Sequence, residues 1–187
     1  MSEEDRITRG KALVRWFEGF GTELHDHHTI EDDIFFPALA ERMAEASSLV
    51  SQVDTDHEHL SDLIDRTTAA LARLADPAVP FRSAHAEAVM VTEGLRALLD
   101  AHLGFEDREV VPRFGEHFED HEYEALHQQA GKLVKPRHLL FVIPWAMSNT
   151  PKDEQRQLLK TTPFFFRLIW IAVRGRYGKL TATAFGC

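Results

Sequence analysis

The sequence predicts an all-α fold, an antiparallel helical bundle followed by a helical extension, and three observations predict it. Apolar residues recur at three- and four-residue spacing through most of the chain, and no stretch alternates as a strand does. Three of the periodic stretches are long, and short connections between long helices make antiparallel neighbours. The breakers fall between the stretches, at Pro77 and Pro80, and then repeatedly beyond Pro136.

Taken in order, the first stretch runs from about residue 5 to residue 42. Gly19 and Gly21 are expected to loosen it, and Pro37 to kink it. The second runs from about 46 to 74 and stops before "DPAVP", and the third from about 83 to 114. A fourth, shorter helix belongs to "HFEDHEYEAL", whose acids suit the positive end of a helix. Beyond Pro136 the texture changes to short apolar pieces punctuated by Pro144, Pro151 and Pro163. The chain therefore divides into a bundle over residues 1–132 and a basic, apolar helical extension over 133–187 that packs on it.

At 187 residues there is material for one domain with a proper core. The composition, 44% hydrophobic and 27% charged, is that of an ordinary soluble protein. The single cysteine, Cys187, permits no intrachain disulfide, which fits a reducing compartment. The opening "MSEEDRITRGK" has no apolar core of a signal peptide. "LLFVIPWAM" and "FFFRLIWIAV" are shorter than the roughly 20 residues of a membrane span. A cytoplasmic location is expected.

The net charge of −9 hides an asymmetry. Residues 1–130 hold 11 Lys and Arg against 28 Asp and Glu, a balance of −17. Residues 131–187 hold 10 against 2, a balance of +8. The acidic body argues against nucleic-acid binding. The basic segment has two destinations, that acidic body or an anionic surface elsewhere.

The chemistry lies in an internal repeat. His27-x-x-x-Glu31-Asp32-x-x-x-x-Pro37 matches His102-x-x-x-Glu106-Asp107-x-x-x-x-Pro112 at an offset of 75 residues. Residues four apart share a helix face. With His27 and Glu31 come Phe20, Leu24, Ile34, Phe35 and Ala38; with His102 and Glu106 come Leu95, Leu99 and Val110. Both pairs thus read as core-facing. The middle helix has its own stripe, Val50, Val53, Leu60, Ile64 and Leu71, and His57 lies in it. Buried carboxylates and imidazoles are costly unless paired or bound to metal, and two facing carboxylates raise one another's pKa. A pair of cations removes that penalty. Imidazole and carboxylate together suit iron, and bundle interiors are where di-iron sites are built. The competing reading is buried hydrogen-bonded pairs with no metal.

"HHTIEDDIFFPAL", "DHEHL" and "AHLGFEDREVVPRF", in that order and spacing, resemble the hemerythrin-like, or HHE cation-binding, family over roughly residues 10–115. The tail, with "FVIPW" and "LLKTTPFFFRLIW", resembles the C-terminal extension of some bacterial members. The resemblance implies a four-helix bundle around two non-haem irons, bridged by oxo or hydroxo and by carboxylates. Carried over by residue, His27, His57 and His102 would be terminal imidazole ligands, and Glu31 and Glu106 the bridging carboxylates. It implies a protein that binds or reacts with a small oxidant (O2, NO or peroxide) in sensing or in oxidative-stress and iron handling, with peroxide decomposition as one such activity. The alternative is a helical interaction bundle whose metal site has degenerated.

Two departures stand out. The family supplies a further histidine from a preceding helix, and no histidine occurs here before His25. The family's first helix is therefore expected to be missing, or to lie upstream. Four residues beyond His57, where oxygen carriers have a second histidine, stands Ser61. The remaining ligands would then come from Asp107, the C-terminal segment or a second subunit, and a homodimer is one way to cover the vacant bundle position. Incomplete ligation favours sensing or redox reactivity over reversible oxygen carriage.

Other histidines are assigned away from the site. His25, His28 and His59 read as surface residues or as residues behind the ligands. Asp32 reads as solvent-facing or as support for a ligand, and His117, His121 and His127 as a solvated helix start. The run Phe164–Phe166 with Trp170 is expected to pack on the bundle rather than enter a membrane.

Overall fold

A computed structural model describes residues 2–43 and 45–186 and is helical almost throughout. Cys187 lies outside the described residues. The first long stretch is α1 (Glu3–Ile30), one wide turn over Glu31–Phe35, and α2 (Phe36–Arg42). Next come α3 (Ala46–Leu74) and α4 (Phe81–Phe105), a second wide turn over Glu106–Val110, and α5 (Val111–His117). Beyond these lie α6 (Asp120–Leu133), α7 (Leu139–Asn149), α8 (Lys152–Thr161) and α9 (Phe164–Phe185).

Helix α1 starts on a capping box, in which the Ser2 hydroxyl accepts from the Asp5 N–H and the Asp5 carboxylate from the Ser2 N–H. In place of a kink at Pro37, the helix opens into a single π turn. The Phe36 N–H reaches back five residues to the Glu31 carbonyl, and Val111 does the same to Glu106. Both turns sit just ahead of a proline, which has no N–H to donate and whose ring clashes with the carbonyl four residues back. The repeated Glu-Asp-x-x-x-x-Pro thus writes the same wide turn into both helices, and each turn begins at the glutamate of the motif.

Three core layers stack along α3. Phe36, Val53, Val110 and Phe114 form one end, Phe17, Leu60 and Leu95 the middle, and Leu74, Ala84, Ala88 and Val91 the far end. Burying a side chain such as Val53 or Leu60 completely contributes about 1.5–3 kcal/mol before entropy is counted. His57 lies on α3 between the first layer and the second. Helix α6 closes the near end, with a forked ion pair from Arg42 to Glu122 at 2.6 and 2.9 Å and His127 edge-on to Phe35.

The outer side of α1 is covered by α7 and α9. Trp16 donates to the Tyr177 hydroxyl at 3.0 Å, and Arg9 donates to the Ala184 carbonyl at 2.9 Å. Phe141 sits so close to Gly19 that a Cβ there would lie 2.3 Å from its ring. Gly19 and Gly21 therefore do not loosen α1; one admits Phe141 and the other Ile64 of α3. The C-terminal segment packs on α1 from outside, and no residue of α9 lines the open apolar groove of about 480 Å³ between α1 and α4. Among the described residues, no helix is long and apolar enough to cross a membrane.

Candidate metal centre

Two groups of ligand-type side chains meet between the first two core layers. His28, His57 and His102 bring ring nitrogens within 4.8 Å of one another, as do the ligand atoms of His27, Glu31 and Glu106. The five residues singled out from the sequence are all brought together, and a sixth joins them. The sequence reading set His28 aside from the ligands; the fold buries it, stacked on His57 with ring centroids 4.0 Å apart.

The phase of α1 explains the miss. Its inward residues are Phe17, Gly21, Leu24 and His28, at spacings of four, three and four. A second stripe, Trp16, Phe20 and Glu23, turns toward the C-terminal helices, and His27, the next residue on it, faces Glu31 and Glu106. Trp16 and Phe20 meet Phe141 and Trp145, and Glu23 meets His138 at 2.9 Å. A single wheel drawn through Phe20 and Leu24 merges the two stripes. The four-three-four rhythm ending at His28 was the available signal.

The two glutamates lie between the groups. Glu31 Oε1 is 3.3 Å from His27 Nε2, while its Oε2 is 3.7 Å from His57 Nε2. Glu106 Oε1 is 3.5 Å from His102 Nε2. One carboxylate, Glu31, therefore addresses both His27 and the three-histidine group. Around them stand supporting acids. Asp32 takes a 2.9 Å hydrogen bond at His57 Nδ1, and Asp56 approaches His102 Nδ1 at 3.9 Å, a distance that leaves room for adjustment rather than a direct bond. A carboxylate accepting at Nδ1 puts the imidazole proton there and turns the Nε2 lone pair inward.

Electrostatically the site holds its groups in their neutral forms. Burial, then the facing Glu106 and Asp32, pushes the Glu31 carboxyl up to about 9. Burial and the neighbouring Asp107, Asp56 and Asp32 raise Glu106 to about 7. Burial and the neighbouring imidazoles depress His28 to about 3 and His57 to about 4. Burial also lowers His27 and His102.

Five buried atoms facing one another find no hydrogen-bond partner: Nε2 of His28, His57 and His102, Oε2 of Glu31 and Oε1 of Glu106. Buried polar atoms are ordinarily satisfied. Orphaned lone pairs of this number, on nitrogen and oxygen donors alone, fit bound cations. The other residues considered from sequence do not converge here. Asp107 is exposed. His117 and His121 lie beside Arg42 and Glu119, and His138 is engaged by Glu23. Among the described residues, the C-terminal segment adds no member to either group.

Solvent reaches the centre by more than one route: His27 is half-exposed, and two clefts open on His57. A cleft of about 550 Å³ is lined by His28, His57, Asp32, Thr29, Ser61 and Lys135, and Lys135 pairs with Asp26 at 3.3 Å along it. Ser61 thus lines the mouth of the opening.

Fold and site together define a helical-bundle protein with a buried histidine–carboxylate centre suited to cations. A family model described as the hemerythrin HHE cation binding domain matches residues 2–114, and the chain belongs to that family. No curated protein and no solved structure matches the chain.

Proposed function

We propose that the centre holds two non-haem iron ions, bridged by Glu31 and Glu106, and that it binds or reacts with a small oxidant such as O2, NO or peroxide. The observation that carries this reading is the position of Glu31, one of whose oxygens faces His27 while the other faces His57 of the three-histidine group. His27 would serve one ion, and His28, His57 and His102 would surround the other. Imidazole with carboxylate is a donor set that iron accepts readily.

Iron bound there would supply redox chemistry and an exchangeable coordination position. The chain's own residues do the rest. Asp32 fixes the His57 ring and its tautomer. Phe36, Val53, Leu60 and Leu95 exclude water from below and above. The cleft at Ser61 admits the ligand, and Lys135 places a cation beside it. An open cleft and a half-exposed His27, with 43% of its side chain accessible, favour sensing or redox turnover over carriage, which depends on keeping water out. A single cysteine, with no intrachain disulfide to form, supports a cytoplasmic location.

The test is anaerobic reconstitution with ferrous iron, followed by metal analysis and exposure to air. The expected result is about two irons per chain, a rise in melting temperature, and near-ultraviolet absorption that develops on oxidation. A folded protein that stays colourless and retains no iron would overturn the reading, since a ligand that binds only the folded state must stabilise it.

A further inference from the structure

The cations of the C-terminal segment are mostly left unused by the fold. Lys135 reaches Asp26, but Arg167, Arg174, Arg176 and Lys179 of α9 have no acidic partner among the described residues. What attaches α9 to the body is aromatic contact and hydrogen bonding instead: Tyr177 against Trp16 and Phe141, Phe185 edge-on to Trp16, and Arg9 on the Ala184 carbonyl. That inner face is spoken for, and the opposite face is not. Phe164 is 71% exposed, Ile171 60%, and Phe165 and Leu168 51% each.

Residues 164, 168 and 171 fall on one line of a helix, and Phe165 lies beside them. Arg167 and Arg174 flank this stripe on one side, and Arg176 and Lys179 follow beyond its C-terminal end at Ile171. An apolar stripe with long cationic side chains along one edge and at its end is the pattern of a helix lying in a lipid interface. The rings and aliphatic chains enter the acyl boundary, while guanidinium and ammonium groups reach the headgroups.

We propose that the outer face of α9 is a docking surface for an anionic lipid bilayer, on which the helix lies in the plane of the interface. The charge arrangement selects this occupant. The segment beyond residue 130 carries +8 and the rest of the chain −17, so an anionic surface attracts the C-terminal segment and repels the bundle it packs on. The body is thereby held away from the membrane. The inner leaflet facing the cytoplasm is the anionic surface that juxtamembrane basic segments recognise. The docking face includes no residue of the metal centre.

The experiment uses the full chain and two kinds of vesicle, phosphatidylcholine alone and phosphatidylcholine with phosphatidylglycerol, in a sedimentation assay. Binding to the anionic vesicles only, weakening as salt is raised, is expected. The double variant Arg167→Gln/Arg174→Gln should lower the partition coefficient roughly 30-fold, from about 1 kcal/mol per basic residue near the surface. Ile171→Glu should abolish binding. Both changes are at exposed positions, so unchanged circular dichroism and melting temperature accompany the expected result. Failure of the wild-type chain to bind anionic vesicles overturns the proposal, as does binding that survives Ile171→Glu. A solution dimer that Ile171→Glu dissociates, with no vesicle binding, assigns the face to a second copy of the chain and overturns it equally.

Discussion

The two copies of the motif are alike in sequence and unlike in setting. His102 is completely buried, whereas its counterpart His27 keeps 43% of its side chain accessible. The position after each reverses the pattern: His28 is buried beside His57, and its counterpart Leu103 is exposed. The inward imidazole has moved by one residue between copies. The cause lies outside the motif. Helix α4 is packed from its inner side only, against α3 and, through Leu95 and His102, against α1, and its motif is phased to that side. Helix α1 is packed on both sides, by α3 within and by α7 and α9 without, so its rotation is a compromise between two stripes. A repeat in sequence therefore repeats the local backbone, including the π turn at each glutamate, but it does not repeat the orientation of the helix.

Exchanging roles between the copies gives the largest effects. His102→Ala opens a cavity at a fully buried site and should cost about 2–4 kcal/mol of stability. It should also remove the iron-dependent rise in melting temperature. His28→Leu, which writes the second copy's residue into the first, should cost most of the bound iron while leaving the metal-free protein folded. His27→Ala should do less to the metal-free protein than either, because its ring is half in solvent. Thermal melts with and without ferrous iron, paired with metal analysis, rank the three. If His27→Ala were the most damaging of them without metal, the phase assigned to α1 would be wrong.

Titration separates the two glutamates. Without metal, Glu31 is held protonated to about pH 9 and Glu106 to about pH 7, against an ordinary value of 4.5. A carboxyl raised in the fold contributes stability that is complete below 4.5 and is lost as pH climbs through the folded value. His28 and His57 work in the opposite sense. Depressed from 6.5 to about 3 and 4, they contribute stability above 6.5 that is lost as pH falls toward those values. Metal-free protein should therefore be most stable in a band near pH 5–6 and lose stability on both sides. Glu31→Gln should flatten the alkaline arm up to about pH 9, and Glu106→Gln only its part below about pH 7. Iron should abolish the alkaline arm, since it takes the ionised carboxylates. Denaturant melts across pH 4–9 check all three.

A smaller effect is expected from Asp32→Asn. It leaves the site's geometry but replaces the charged acceptor at His57 Nδ1 with a neutral amide oxygen, and should weaken iron binding about 10–100-fold in a competitive chelator titration. Nothing equivalent supports His102 at hydrogen-bond distance, so Asp56→Asn should matter less.

Much of this was legible in the sequence, for reasons that differ by element. Helix α3 was read residue for residue, because its single apolar stripe and the breaker after Leu74 leave one solution. The all-helical class and the convergence of His57, His102, Glu31 and Glu106 followed from periodicity and the repeat. His28 was not legible from a wheel, since two superposed stripes on α1 average to no clear phase. The π turn before Pro37 was read as a kink and the one before Pro112 as continuous helix: the missing N–H of proline is visible in sequence, but how the ladder repairs itself is decided by packing. Nor does the sequence say which side of α1 the C-terminal helices take, because that rests on the notch at Gly19.

That notch gives the sharpest matched pair. Gly19 and Gly94 occupy equivalent places, at the same offset of 75 residues, and each lies well inside a helix. In a bare helix both should gain about 0.5–1 kcal/mol from alanine. At Gly94 the nearest atom to a new Cβ is Leu63 Cδ2 at 4.0 Å, ordinary contact, so Gly94→Ala should stabilise by about that amount. At Gly19 the new Cβ meets three atoms of the Phe141 ring at 2.3–2.6 Å, and α7 must shift or the ring must leave its place. Overpacking of this kind costs about 1–3 kcal/mol, which outweighs the helical gain. Gly19→Ala should therefore destabilise, and Gly19→Ala combined with Phe141→Ala should recover part of the loss. Opposite signs at two equivalent glycines would tie the asymmetry of the copies to α7 and not to the motif itself.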